Sequence, residues 1–125
     1  IQLTDMSFPA DKIVIDPLTS ALGYGLEYTY SIMERIRSDG LAGDQMLNMP
    51  MMITSGPESM TCKEAWAADA DVPEWGRMEL RTAYWEITTA LSSMLAGAEL
   101  LVMNHPQAVG VLRKKIDELC AVPTH

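Results

Sequence analysis

Cysteine, aromatic rings, positive charge and long apolar runs are all scarce in this chain, and each shortage excludes something. Two cysteines, Cys62 and Cys120, stand far apart in 125 residues. Zinc sites and iron-sulfur clusters need about four ligands, so the chain builds neither from its thiols, and buried reduced cysteine is the plainer expectation. Lys and Arg number 9 against 17 Asp and Glu, for a formal charge of −8. Nucleic-acid binding rests on clustered cations at phosphates, so a nucleic-acid partner is excluded, and an anionic membrane surface with it. The longest apolar stretch, Met94 to Met103, is interrupted by Glu99 and falls well short of the roughly 20 residues of a membrane span. No basic segment followed by an apolar run opens the sequence, which points to a cytoplasmic protein. Aromatic residues are 6% of the chain; Trp66, Trp75 and Trp85 read as core or interface rings.

What is present is a core-forming composition, 48% hydrophobic, arranged as strand-helix units of one modest domain. Ile13-Val14-Ile15 is an apolar run without alternation, the pattern of a strand covered on both faces, and a first strand is expected over 12–16. Asp16-Pro17 ends it, because proline has no amide to donate. The spacing of Leu26, Tyr30, Met33 and Ile36 predicts a helix over 26–38, stopped by Asp39-Gly40. A second strand is expected over 51–54, closed by a turn at Ser55-Gly56-Pro57-Glu58, with a short helix over 58–67. Residues 69–76 break the pattern as a loop with an acidic, solvated face at Asp69, Asp71 and Glu74. A long helix is expected over 78–96, its stripe formed by Leu80, Ala83, Tyr84, Ile87, Leu91, Met94 and Leu95. The third strand, 99–103, leads through Asn104-His105-Pro106 to a last helix, 107–120, burying Val109, Leu112, Ile116 and Leu119. The ten methionines serve mainly as core filling. Strands alternating with helices make a parallel α/β sheet.

In such sheets the chemistry collects at the carboxyl ends of the strands. That end gathers Asp16, Gly23, Tyr24 and Gly25, then Ser55 and Gly56, then Asn104 and His105. The set lacks a nucleophile with a neighbouring base and a metal-ligand cluster. Gly23-Tyr24-Gly25 lacks the third glycine of a dinucleotide fingerprint. No residue is assigned a catalytic or metal-ligating role, and the face suits binding. Each member also has a structural reading: Asp16 as a loop cap, the glycines as turn residues, Tyr24 as a packing ring, and Asn104 and His105 as partners of strand-end backbone.

The stretch from Asp16 through Gly23-Tyr24-Gly25 to Arg37, followed by Gly43-Asp-Gln-Met-Leu-Asn-Met-Pro50, Met-Pro-Met-Met-Ile-Thr-Ser-Gly around position 55 and Leu-Val-Met-Asn-His-Pro ending at 106, closely resembles the small subunit of the corrinoid iron-sulfur protein. In archaeal acetyl-CoA decarbonylase/synthase this is the delta subunit. The likeness runs from Asp11 to about Leu119. It implies a TIM (βα)8 barrel, which needs about 250 residues, so residues 1–125 are read as its C-terminal half, a fragment or a separately encoded piece. The resemblance further implies a corrinoid held between the barrel face and a large subunit, whose iron-sulfur cluster is its own. It implies methyl transfer on cobalt from methyl-tetrahydropterin, through a pterin methyltransferase, to acetyl-CoA synthase in the reductive acetyl-CoA pathway. Asp16, Gly23, Tyr24, Gly25, Ser55, Gly56, Asn104 and His105 are then the residues expected near the corrinoid. Two other readings stand beside this one: a pterin-dependent methyltransferase barrel, with Asp16 and Asn104 on the pterin, and a purely structural half-barrel.

Overall fold

The computed structural model describes residues 2–121, and within them helices outweigh strands. The order is helix α1 (Gln2–Asp5), a 3-10 turn (Ala10–Lys12), helix α2 (Leu26–Leu41), strand β1 (Met52–Ile53), helix α3 (Ser55–Met60), 3-10 turns at Lys63–Trp66 and Pro73–Trp75, helix α4 (Met78–Leu95), strand β2 (Leu100–Leu101) and helix α5 (Pro106–Cys120). The strands β1 and β2 are parallel, with Met52 opposite Leu100 and Ile53 opposite Leu101. A single parallel bridge joins Ile15 to Met51 on the other side of β1. The Ile15 N–H donates to the Pro50 carbonyl at 2.8 Å, and the Ile15 carbonyl accepts from the Met52 amide at 2.9 Å. The α/β class and the parallel pairing are as expected, but the sheet is far shorter.

The first strand, expected over 12–16, shrinks to Ile15 because Lys12 is spent in the 3-10 turn that starts after Pro9. Helix α2 runs through Asp39-Gly40, the expected stop, and ends at Leu41, capped by Ala42 before Gly43, whose φ is +113°. Gly40 is there for close packing, since a Cβ would lie 3.0 Å from the Leu47 carbonyl oxygen. The turn expected at Ser55-Gly56-Pro57 is instead the first turn of α3, where proline loses no intrahelical bond. The helix expected over 58–67 ends at Met60 and gives way to the Lys63–Trp66 turn.

The core forms where α2 meets the sheet. Met33, Met51, Ile53 and Ala96 are buried there, with Ile15, Tyr30, Ile36 and Leu101 packed around them. A smaller cluster, Ala21, Cys62 and Ala65 against Trp85, ties the 16–25 loop to the turn after α3. At the amino end of the sheet Arg37 Nη2 donates to Glu99 Oε1 at 2.5 Å and to the Gly97 carbonyl at 2.8 Å, while Glu99 Oε2 accepts from the Met51 amide at 2.8 Å.

Helix α4 departs most from its expected face. Its buried stripe is Thr82, Glu86, Thr89 and Ser93, with Ala83 and Ala90, while Leu80, Tyr84 and Leu95 are exposed. Small and hydrogen-bonding side chains let this helix press against a loop that needs partners, which large apolar ones could not do. The 67–77 segment is pinned from the same helix by Arg81, whose guanidinium donates to the Ala67 and Gly76 carbonyls and pairs with Asp69 at 3.4 Å. Asp69 also accepts from the Met78 amide at 2.7 Å, so it caps α4 rather than joining a free acidic face. On α5 only Ala108 and Leu112 are buried. Ile116 and Leu119, expected in the core, are exposed.

Candidate functional site

Parallel pairing brings the segments that follow Ile15, β1 and β2 to one end of the sheet, so Asp16, α3 and Asn104 share it. The 16–25 loop is held from every neighbouring element. Asp16 Oδ1 accepts from the Leu18 amide at 2.9 Å, the Asx turn that a carboxylate two residues back makes. Thr29 Oγ1 on α2 donates to the Leu18 carbonyl at 3.1 Å and accepts from the Ser20 amide at 2.9 Å. Thr19 Oγ1 accepts from the Thr54 amide at 2.9 Å. On α4, Thr89 Oγ1 accepts from the Leu22 amide at 3.2 Å and Trp85 Nε1 donates to the Leu22 carbonyl at 2.9 Å.

Two glycines shape the exit from this loop, Gly23 at φ +78° and Gly25 at +109° where α2 begins. Tyr24 between them is exposed, and its hydroxyl donates to Glu64 Oε2 at 2.7 Å. That bond is the main cause that raises the Tyr24 pKa above its usual range and lowers that of Glu64. The most unusual member is Leu18, which holds φ +67° and is 79% exposed. A left-handed leucine costs energy that the neighbouring bonds must offset, and such outliers gather at functional sites.

Ser55 and Gly56 are buried, not presented at the surface. Ser55 Oγ donates to the Val102 carbonyl at 3.2 Å, which also accepts from the Gly56 amide at 2.9 Å. A Cβ on Gly56 would lie 2.5 Å from the Asn104 nitrogen and 2.9 Å from Met103 backbone. These two residues therefore support the site from beneath. Asn104 is exposed and His105 half-buried. Their backbone amides converge on the carboxylate of Glu86, itself 1% exposed: Asn104 donates at 2.8 Å to Oε1, and His105 at 3.2 and 3.1 Å to the two oxygens. His105 Nδ1 is buried without a hydrogen-bond partner among the described residues.

Sequence reasoning thus named Asp16, Gly23, Tyr24, Gly25, Asn104 and His105 at this end of the sheet and did not name Leu18, Glu86 or the threonines. The spacing of Thr82, Glu86, Thr89 and Ser93, at four, three and four, was the available signal. It is a helical stripe as regular as the apolar one beside it.

Cys62 is buried, its thiol 3.6 Å from the Glu58 carbonyl, and burial pushes its pKa up; Cys120 is exposed. Among the described residues no group of three or more His, Cys, Asp or Glu could hold a metal, and no helix is long and apolar enough to cross a membrane.

Fold and candidate site together define a small parallel α/β unit whose polar groups at the carboxyl end of the sheet mostly hold its own loops. Residues 2–113 match the family model described as CO dehydrogenase/acetyl-CoA synthase delta subunit. The chain is 47% identical over 121 residues to the acetyl-CoA decarbonylase/synthase complex subunit delta of Archaeoglobus fulgidus, covering 94% of this chain and 26% of that protein. It is 44% identical over 110 residues to subunit delta 2 of Methanosarcina acetivorans, covering 85% and 25%. With subunit delta of Methanocaldococcus jannaschii it shares 40% over 114 residues, covering 90% and 27%. The chain belongs to the CO dehydrogenase/acetyl-CoA synthase delta subunit family and spans about a quarter of the length of these relatives.

Proposed function

We propose that this chain forms part of the corrinoid-facing surface of a delta subunit, within the C-terminal half of a (βα)8 barrel, and that it covers the cofactor without catalysing. The observation that carries this is the Leu18 loop: an apolar side chain presented at the carboxyl end of a parallel sheet, on backbone held by five separate residues. A rigid apolar projection with no ligating group suits shielding a reactive centre from water. The residues fit a corrinoid as a covering wall rather than as ligands of its cobalt. A bound corrinoid supplies the methyl-carrying chemistry. Leu18 would exclude water above it, and the exposed Asn104 amide would hydrogen-bond its polar periphery.

The barrel reading is supported by the sheet face turned away from the helices, where Val14, Leu100 and Val102 remain 42%, 48% and 39% exposed. Further strands of a barrel would cover them. The partners we propose are the large subunit of the corrinoid iron-sulfur protein, with its own iron-sulfur cluster, a pterin methyltransferase and acetyl-CoA synthase, all in the cytoplasm.

The test uses the full-length subunit in two titrations. With the large subunit present, it is expected to retain a corrinoid at a stoichiometry near one, and Leu18→Asp is expected to weaken that retention at least tenfold. Methyl-tetrahydropterin added to the subunit alone is expected to bind weakly. Tight pterin binding lost in Asp16→Ala or Asn104→Ala would instead favour the pterin-dependent methyltransferase reading. Unchanged corrinoid retention in Leu18→Asp would favour a purely structural role.

A further inference from the structure

We infer that Glu86 is a positioning residue for Asn104 and His105, acting with Gly56 as the two jaws of a clamp on the peptide that ends β2; this rests on the proposed corrinoid-facing role of that end of the sheet. Nothing in the spacing of Asn104 or His105 requires a carboxylate behind them. A buried anion without a cationic partner is costly unless its oxygens are hydrogen-bonded. Glu86 has no basic side chain in ion-pair range among the described residues; its described partners are the two backbone amides, both leading into the first turn of α5. The amide at the N-cap of a helix lacks an intrahelical acceptor, so the carboxylate satisfies the His105 donor as well as that of Asn104 just before it. No side chain of its own caps α5: His105, the residue before the helix, makes no capping bond. Glu86, on a different helix, instead accepts from the two amides that lead into α5, across 18 and 19 residues of sequence.

The other jaw is steric. Gly56 lies so close to Asn104 and Met103 that even a methyl group would have to displace backbone, and the Gly56 amide bonds Val102 one step earlier on the same strand end. The peptide at 103–105 is therefore both hydrogen-bonded to Glu86 and packed against the backbone at Gly56. Asn104, left exposed between them, projects from a fixed base. A fixed base of that kind would present the Asn104 side chain to a ligand in one orientation.

The experiment takes full-length subunit assembled with the corrinoid-loaded large subunit and compares Glu86→Gln, Glu86→Asp and Asn104→Ala. Arg37→Gln, which breaks the ion pair at the far end of the sheet, is the control for general loss of stability. Amide exchange at His105 is expected to rise at least tenfold in Glu86→Gln, because one of the two oxygens it donates to becomes an N–H donor, while Asn104 keeps the remaining oxygen. The same variant is expected to shift the corrinoid absorption spectrum in the direction that Asn104→Ala shifts it, with methyl transfer slowed about tenfold. Glu86→Asp is expected to recover part of both, and Arg37→Gln to alter neither. In the double variant Glu86→Gln/Asn104→Ala the spectrum should match that of Asn104→Ala alone. Unchanged amide exchange in Glu86→Gln would overturn the clamp. Raised exchange with an unaltered spectrum, while Asn104→Ala does alter it, would reduce Glu86 to a fold residue and overturn the inference. An unaltered spectrum in Asn104→Ala would overturn the proposed corrinoid-facing role, and the inference with it.

Discussion

Gly56→Ala is expected to destabilise the domain by about 3 kcal/mol, at the upper end of what overpacking a filled interior costs. Its added methyl would sit 2.5 Å from the Asn104 nitrogen, and the obstruction is backbone, which cannot swing aside as a flexible side chain could. Relief requires α3 to lift from β2, and lifting it breaks the bonds from Ser55 and Gly56 to the Val102 carbonyl. At roughly 4 °C of melting temperature per kcal/mol for a domain of this size, a fall of about 12 °C should appear in a thermal melt followed by circular dichroism. Gly110→Ala, with nothing within 4 Å of the new Cβ, is expected to raise the melting temperature slightly, since alanine is the better helix former.

Ile53→Ala is the second large effect. Ile53 is fully buried between α2 and the sheet, with Met33, Met51 and Ala96 around it, and removing a buried isoleucine side chain to alanine costs about 2–5 kcal/mol. The site lies at the junction of both strands, where little can collapse inward, so a value near 4 kcal/mol is expected from urea unfolding, with Ile53→Val costing about 1 kcal/mol. Ile32→Ala on the exposed side of α2 is expected to change stability by less than about 0.5 kcal/mol. Equal losses at 32 and 53 would mean that the α2 face is wrongly assigned.

How far the fold was legible depended on which physical signal each element uses. The helices α2, α4 and α5 follow from 3.6-residue periodicity, and their expected bounds lie close to those observed. The Asp16 loop, the parallel strand order and the shared end of the sheet follow from apolar runs punctuated by proline and glycine. The face of α4 was not legible in this way. Apolar periodicity assigns Tyr84 and Leu95 to the core, whereas the helix turns Thr89 and Glu86 inward to meet backbone groups far away in sequence.

Gly40 and Gly56 misled for a related reason. A glycine reads as a stop or a turn, but here each marks a close approach of two backbones, which only tertiary structure reveals. Leu18 itself gave no signal, because its left-handed backbone accompanies the Asp16 turn and the Thr29 bonds from α2 rather than any preference of leucine. The family resemblance supplied what the residues alone did not, an expectation of what this end of the sheet faces.

The most direct test of the corrinoid-facing role is a hydrogen-exchange footprint of the full-length subunit, taken with and without the corrinoid-loaded large subunit. Protection is expected in peptides covering 16–25 and 103–107, with little change on the outer surfaces of α2 and α4 around Tyr28 and Tyr84. Protection at Tyr28 and Tyr84 with none at 16–25 or 103–107 would contradict it.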